Sequence, residues 1–188
     1  MDQRAPHVLV VCTANVCRSA MAEGLLRDAL EATGYGHVVV SSAGTGRFNM
    51  AVDPVACAVV GQRGVDISAH QPRQLTADVL AARPPDLIVT MTRQHLRAVV
   101  GLDRDLWPRT FTLLDLARRT AALPDDPASF AEWITKAGAN RAAATMLHDD
   151  PDDDIVDPFG MGRDVTARAA DQIEGAVRVL ASLGCWAR

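Results

Sequence analysis

Cys12, Arg18 and Ser19 stand together where an apolar run gives way to a helical pattern. Val8 to Val11 is continuous and apolar, as in a buried strand. Cys12 ends that run, five residues separate it from Arg18, and Ser19 follows. Met21, Leu25, Leu26, Ala29 and Leu30 then recur at helical spacing. A loop entering a helix points free backbone N–H groups inward, and the helix dipole adds partial positive charge. A thiolate held there is stabilised by those donors and by the guanidinium. Arg18 presents a planar fork that takes two phosphate oxygens at once, which a lysine cannot do. Asn15 tolerates left-handed backbone and can hydrogen-bond across a tight loop. Ser19 can donate to the sulfur or cap the helix. Thr13, Ala14, Val16 and Cys17 complete a loop whose amides would surround a phosphate. Phosphoryl transfer to sulfur is the chemistry these residues fit. A buried structural cysteine would explain a bare Cys-x5-Arg spacing. The preceding strand, Asn15 inside the loop and the helix after Ser19 favour the chemical reading.

The chain resembles the low-molecular-weight protein tyrosine phosphatases. The resemblance rests on Cys12, Asn15, Cys17, Arg18 and Ser19 after the first strand, and departs at Ala14, where the family usually has glycine. Alanine resists a positive φ, so the loop requires residue 14 to stay at negative φ. Weaker matches are Ser42-Ala43-Gly44-Thr45, Asp53-Pro54, Arg73-Gln74-Leu75 and Asp86-Leu87-Ile88-Val89. Asp157-Pro158-Phe159-Gly160 is a more specific one, and its Phe-Gly, where animal members have paired tyrosines, looks bacterial. Residues of about 117 to 154 fall outside the resemblance.

An alkoxide or phenoxide leaving phosphorus needs a proton, which calls for a carboxyl opposite the sulfur. Asp157 is the candidate. Pro158 forces it into extended geometry, and Phe159 offers an apolar wall to a ring-bearing substrate. A plain Asp-Pro turn is the alternative, and the resemblance favours the acid. The implied reaction has two steps. Cys12 attacks phosphorus while Asp157 protonates the departing oxygen, and Asp157 then activates water to hydrolyse the cysteinyl-phosphate. Arg18 and the loop amides stabilise the transition state. Neither a metal nor another cofactor is expected. The resemblance also implies that Cys12 and Cys17 can form a reversible disulfide, simple packing of Cys17 behind the loop being the alternative, and that Phe48 is an aromatic wall of the cleft, a plain loop anchor being the alternative. His70, His95, Cys57 and Cys185 are expected to be structural or simply exposed.

A chain of 188 residues can bury a full core as one domain. The net charge of −4 argues against general nucleic-acid binding. No run of some 18 apolar residues suggests a membrane span. The first residues lack the apolar core of a signal peptide, and a reactive thiolate suits a reducing cytosol, so a cytoplasmic location is expected. Strand patterns over about 7–12, 37–42, 86–91 and 110–114 alternate with helical patterns over about 18–33, 54–63, 76–82, 93–100 and 165–183. This alternation predicts an α/β fold: a single-domain, open, twisted, parallel four-stranded sheet with helices on both faces. The Cys12 loop then lies at the carboxyl end of the first strand, where such sheets bind ligands. Residues 117–154 read as an insertion, either a surface helical hairpin with a solvated acidic loop or a cap over the cleft. A divalent-cation role for the acidic run is disfavoured, because it lacks the glycine and terminal glutamate of a calcium loop.

The resemblance implies hydrolysis of phosphotyrosine on a phosphorylated protein substrate, with a bacterial tyrosine kinase as the opposing partner. A protein arginine phosphatase is the nearest alternative. In the family a threonine after the loop Asn favours phosphoarginine and a bulkier aliphatic residue favours phosphotyrosine; Val16 is aliphatic yet nearly the shape of threonine. A thiol-dependent arsenate reductase would need further cysteines near the third strand, and residues 83–100 contain none. An inactive phosphate-binding module is disfavoured by the presence of both Cys12 and Asp157.

Overall fold

The computed structural model describes residues 4–47, 49–123 and 129–186. Four parallel strands form one sheet in the order β2-β1-β3-β4: β1 His7–Cys12, β2 Val39–Gly44, β3 Leu87–Thr90 and β4 Thr110–Thr112. The helices are α1 Arg18–Ala32, α2 Pro54–Gly61, α3 Ala77–Ala82, α4 Arg93–Leu102, α5 Leu113–Ala121, α6 Phe130–Ala137 and α7 Arg163–Ala181. The expected α/β architecture is present.

Every residue of β1 is buried, as a central parallel strand requires. Its side chains alternate between two cores. Val8, Val10 and Cys12 join the larger core, with residues of α1, α2, α5 and α7. Leu9 and Val11 face the smaller one, with Leu75, Ile88, Val99 and Leu106. Fully burying one such side chain stabilises by about 1.5–3 kcal/mol, against about 0–1 kcal/mol for an exposed ion pair. Apolar burial therefore holds the sheet.

Helix ends follow local chemistry. Asp53 accepts from the Ala56 N–H at 2.8 Å, with Pro54 in the first turn of α2. Gly34 (φ 86°) turns the chain after α1, and Tyr35 N–H donates to the Leu30 carbonyl at 2.7 Å. The expected fourth strand is cut short at Thr112, because the Thr112 hydroxyl accepts from Asp115 N–H and starts α5. That helix was not foreseen.

The segment from α6 to the acidic run is not the solvated surface hairpin of the first expectation. Trp133 is buried, Phe130 stacks on it, and Phe130 lies 4.7 Å from the Trp186 ring. The Arg141 guanidinium sits 4.0 Å from the centres of both the Trp107 and Phe111 rings. These contacts join the segment to the core. The acidic run is not simply solvated: Arg93 holds Asp150 at 2.8 Å and Asp153 at 2.6 Å, Arg97 holds Asp149, and Arg118 also pairs with Asp153. Asp153 is itself buried. Among the described residues, no helix is long and apolar enough to cross a membrane.

Candidate active site

Cys12 ends β1, flanked by β2 on one side and β3 on the other, where successive crossovers leave in opposite directions. Its Sγ lies 2.9 Å from Ser19 Oγ, and Asn15 N–H donates to it at 3.3 Å. Asn15 is left-handed, with φ 60°. Ala14 is not among the described residues with positive φ, so alanine meets the loop's requirement. Of its two expected places Ser19 takes the one at the sulfur, in a contact that either atom can donate. It faces the sulfur, while Cys17, at the helix N-cap, makes no side-chain capping bond.

A hydrogen-bond ring beneath the loop holds Asn15 in that conformation. Asn15 Nδ2 donates to Ser19 Oγ at 2.9 Å and to Ser42 Oγ at 2.7 Å. Asn15 Oδ1 accepts from Arg73 N–H at 2.9 Å. Ser42 Oγ donates to Glu23 Oε2 at 2.6 Å, and His70 joins Glu23 to the Asn15 carbonyl, 2.9 Å from its Nε2. All polar groups of the Asn15 side chain are engaged, so the ring rigidifies the loop. The segment after β2 covers it: Thr45 N–H donates to the Cys12 carbonyl and Gly46 N–H to the Thr13 carbonyl, at 2.9 and 2.8 Å.

Gly44 leaves no room for a side chain there. A Cβ would stand 2.6 Å from the Thr13 carbonyl oxygen and 2.9 Å from the Ala14 carbonyl carbon. Both are backbone atoms and cannot swing aside. Gly44→Ala should therefore shift the loop, lowering kcat/KM by roughly 10²-fold and stability by about 1–3 kcal/mol. Steady-state kinetics and a denaturant midpoint measure the two losses. Unchanged kinetics would show that the loop tolerates the shift.

Arg18 is only 4% exposed. Its Nη2 donates to Asp157 Oδ2 at 2.6 Å and to Thr13 Oγ1 at 3.2 Å, and its Nη1 to the Ile155 carbonyl at 3.1 Å. Ile155 N–H in turn donates to the Met91 carbonyl at 2.9 Å, tying the Asp157 segment to the end of β3. The Asp157 side chain is 52% exposed, and its Oδ1 accepts from Phe159 N–H at 3.2 Å. A cavity of about 150 Å³ lies between these groups. Cys12, Thr13, Ala14, Val16, Cys17, Arg18, Met50, Asp157 and Phe159 line it. None of the described residues of α5 and α6 lines it. Asn15 and Ser19 lie beneath it, fully buried. Phe48 falls outside the described residues. Met50 forms part of the wall and was missed, since an isolated methionine in a loop carries no sequence signal.

The other thiols are held as neutral groups. Burial, with the nearby Asp53 carboxylate, pushes the Cys17 thiol up to about 12, and burial alone raises Cys185 to about 12. Cys57 is raised as well, by burial and Asp53. All four cysteines are free. His95, expected to be structural or exposed, is buried against the loop. Its Nε2 is 2.8 Å from Thr13 Oγ1, and burial, then the Arg18 charge, lowers its pKa to about 3. His70 and His95 both brace the loop, and nothing in their sequence neighbourhoods announces it.

A model of the family described as low molecular weight phosphotyrosine protein phosphatase matches residues 7–125. Etp of Escherichia coli K12, a low molecular weight protein-tyrosine-phosphatase, is 38% identical over 104 residues, 55% of this chain. That match spans 66% of Etp, just under two thirds of its length. A low molecular weight protein-tyrosine-phosphatase of Streptomyces coelicolor is 33% identical over 173 residues, 90% of this chain and 88% of its own. Among solved structures, the YwlE arginine phosphatase from Geobacillus stearothermophilus aligns with a TM-score of 0.65 and 26% identity, covering 94% of this chain and 90% of that one.

Proposed function

Because the chain belongs to the low molecular weight phosphotyrosine protein phosphatase family, we propose that it hydrolyses phosphotyrosine on proteins, with Cys12 as nucleophile and Asp157 as general acid and base. One observation carries the reading. The Cys12 sulfur, the Arg18 guanidinium and the Asp157 carboxyl meet at one small cavity, although Asp157 lies 139 residues from Arg18 in the chain.

A phosphate entering the cavity competes with Asp157 for Arg18. The guanidinium and the loop amides then take the non-bridging oxygens, and the freed carboxylate, now beside the negative phosphate, takes up a proton and turns to the leaving oxygen. The P–S bond forms as the P–O bond breaks, and the Asp157 proton passes to the leaving phenol. In the second step Asp157 removes a proton from water, water oxygen bonds to phosphorus, and Cys12 departs as thiolate. The positive field comes from Arg18 and the amides, so this sequence of steps requires no metal. Ser19 Oγ and Asn15 N–H, both on the sulfur, support it as the leaving thiolate. Phe159 and Met50 serve as walls for the substrate ring.

Phosphoarginine is the second reading. Val16 lines the cavity with a side chain close to threonine in shape, and two of the similar structures are arginine phosphatases. Phosphotyrosine and phosphoarginine peptides, assayed side by side with a chelator present, test the choice. We expect phosphotyrosine to be turned over at least tenfold faster in kcat/KM, a difference that one methyl-scale contact can supply. Turnover of phosphoarginine alone would reassign the substrate and keep the mechanism. A cytoplasmic location agrees with four free thiols. A phosphorylated protein, with a bacterial tyrosine kinase opposing the reaction, is the proposed partner.

A further inference from the structure

His95 takes no part in the steps above, yet it is 3% exposed and tied on both ring nitrogens. It stands in the first turn of α4, just after β3, while Thr13 comes just after β1. β1 and β3 are neighbours, with Val11 opposite Thr90, so the segments that leave them run side by side. His95 Nδ1 lies 2.8 Å from Thr92 Oγ1, and Thr92 also caps α4 by accepting His95 N–H at 3.3 Å. On the other side, Nε2 lies 2.8 Å from Thr13 Oγ1, which accepts from Arg18 Nη2 at 3.2 Å. A neutral imidazole has one donor and one acceptor, and each threonine hydroxyl can play either part, so both bonds are made. Burial and the Arg18 charge keep the ring neutral.

We infer that His95 is a positioning residue: through the Thr13 hydroxyl it sets the Arg18 guanidinium in the plane that a phosphate needs. The inference rests on Arg18 being the phosphate-binding group. The same Nη2 meets both Asp157 and Thr13. Once a phosphate displaces Asp157, Thr13 is the side-chain contact left on that nitrogen, and Ile155 holds the other one. Two-point recognition of phosphate is lost when the fork rotates out of plane. Thr13 can keep one orientation because His95 is itself fixed by Thr92.

The test is calorimetric binding of inorganic phosphate to wild type, His95→Asn, His95→Gln, Thr13→Val and the Thr13→Val/His95→Asn double variant. Asparagine can replace the Nδ1 contact to Thr92 but falls short of Thr13, whereas glutamine reaches the position of Nε2. We expect His95→Asn and Thr13→Val each to weaken phosphate about tenfold, the scale of one hydrogen bond to a charged group. The double variant should lose no more than either single one, and His95→Gln should recover most of the affinity. Tighter KM with glutamine than with asparagine, at similar melting temperature, is the kinetic counterpart. Wild-type affinity in Thr13→Val or His95→Asn, losses that multiply in the double variant, or no recovery with glutamine would each overturn the inference while leaving the site itself standing. A wild type that binds no phosphate would overturn both.

Discussion

Cys12→Ser should abolish turnover, a loss on the order of 10⁶-fold, without unfolding the chain. A serine hydroxyl is not ionised near neutral pH and is a far weaker nucleophile toward phosphorus than a thiolate. The change removes little volume at the end of a buried strand, and the Asn15 ring beneath it stays intact. Arg18 and the loop amides should still bind phosphate. The measurement is phosphotyrosine peptide turnover, with phosphate binding and melting temperature as controls. The other thiols offer no substitute: burial holds Cys17 and Cys185 protonated, each near 12. Residual activity within a hundredfold of wild type would mean that Cys12 is not the nucleophile.

Asp157→Asn should slow the reaction by roughly 10²–10⁴-fold, the usual worth of a positioned acid or base. The side chain keeps its shape and its place in the Asp-Pro turn, but it can neither give nor take the proton. Two features separate loss of the acid from a general disturbance. The defect should be large for phosphotyrosine and small for an aryl phosphate whose phenol is acidic, because a good leaving group needs little protonation. Phosphate binding should stay the same or tighten, since Asp157 no longer competes as an anion for Arg18. Equal slowing of both substrates would count against Asp157 as the acid. Gly44→Ala provides a contrast, since it moves the loop and should slow both alike.

Much of this was legible beforehand because its causes are local. The Val8–Val11 run implied a strand buried on both faces, and β1 is one. The helical patterns over about 18–33 and 54–63 correspond to α1 and α2, the first ending just before Gly34 and the second starting just after Asp53. Asn15 was expected to be left-handed, and its φ is 60°. Errors arose where a distant partner decided. Thr112 is the exception, since it ended β4 early through a local cap on Asp115, three residues on. The acidic run was read as solvated because its arginine partners, Arg93, Arg97 and Arg118, lie 34 to 61 residues away in the chain. Trp133 became core only because Trp186 and Phe130 met it.

The same division runs through the site. Cys12, Asn15, Arg18 and Ser19 lie within eight residues, so strand, tight loop and helix start suffice to bring them together, and the sequence alone determined that half. What faces them was decided by tertiary structure. Parallel pairing of β1 with β3 sets His95 beside Thr13. Pairing of β1 with β2 sets Gly44 and Ser42 under the loop. The bond from Ile155 to the end of β3 carries Asp157 to Arg18. Chain segments this far apart meet only after the sheet has ordered its strands, and no spacing within a linear sequence encodes that order.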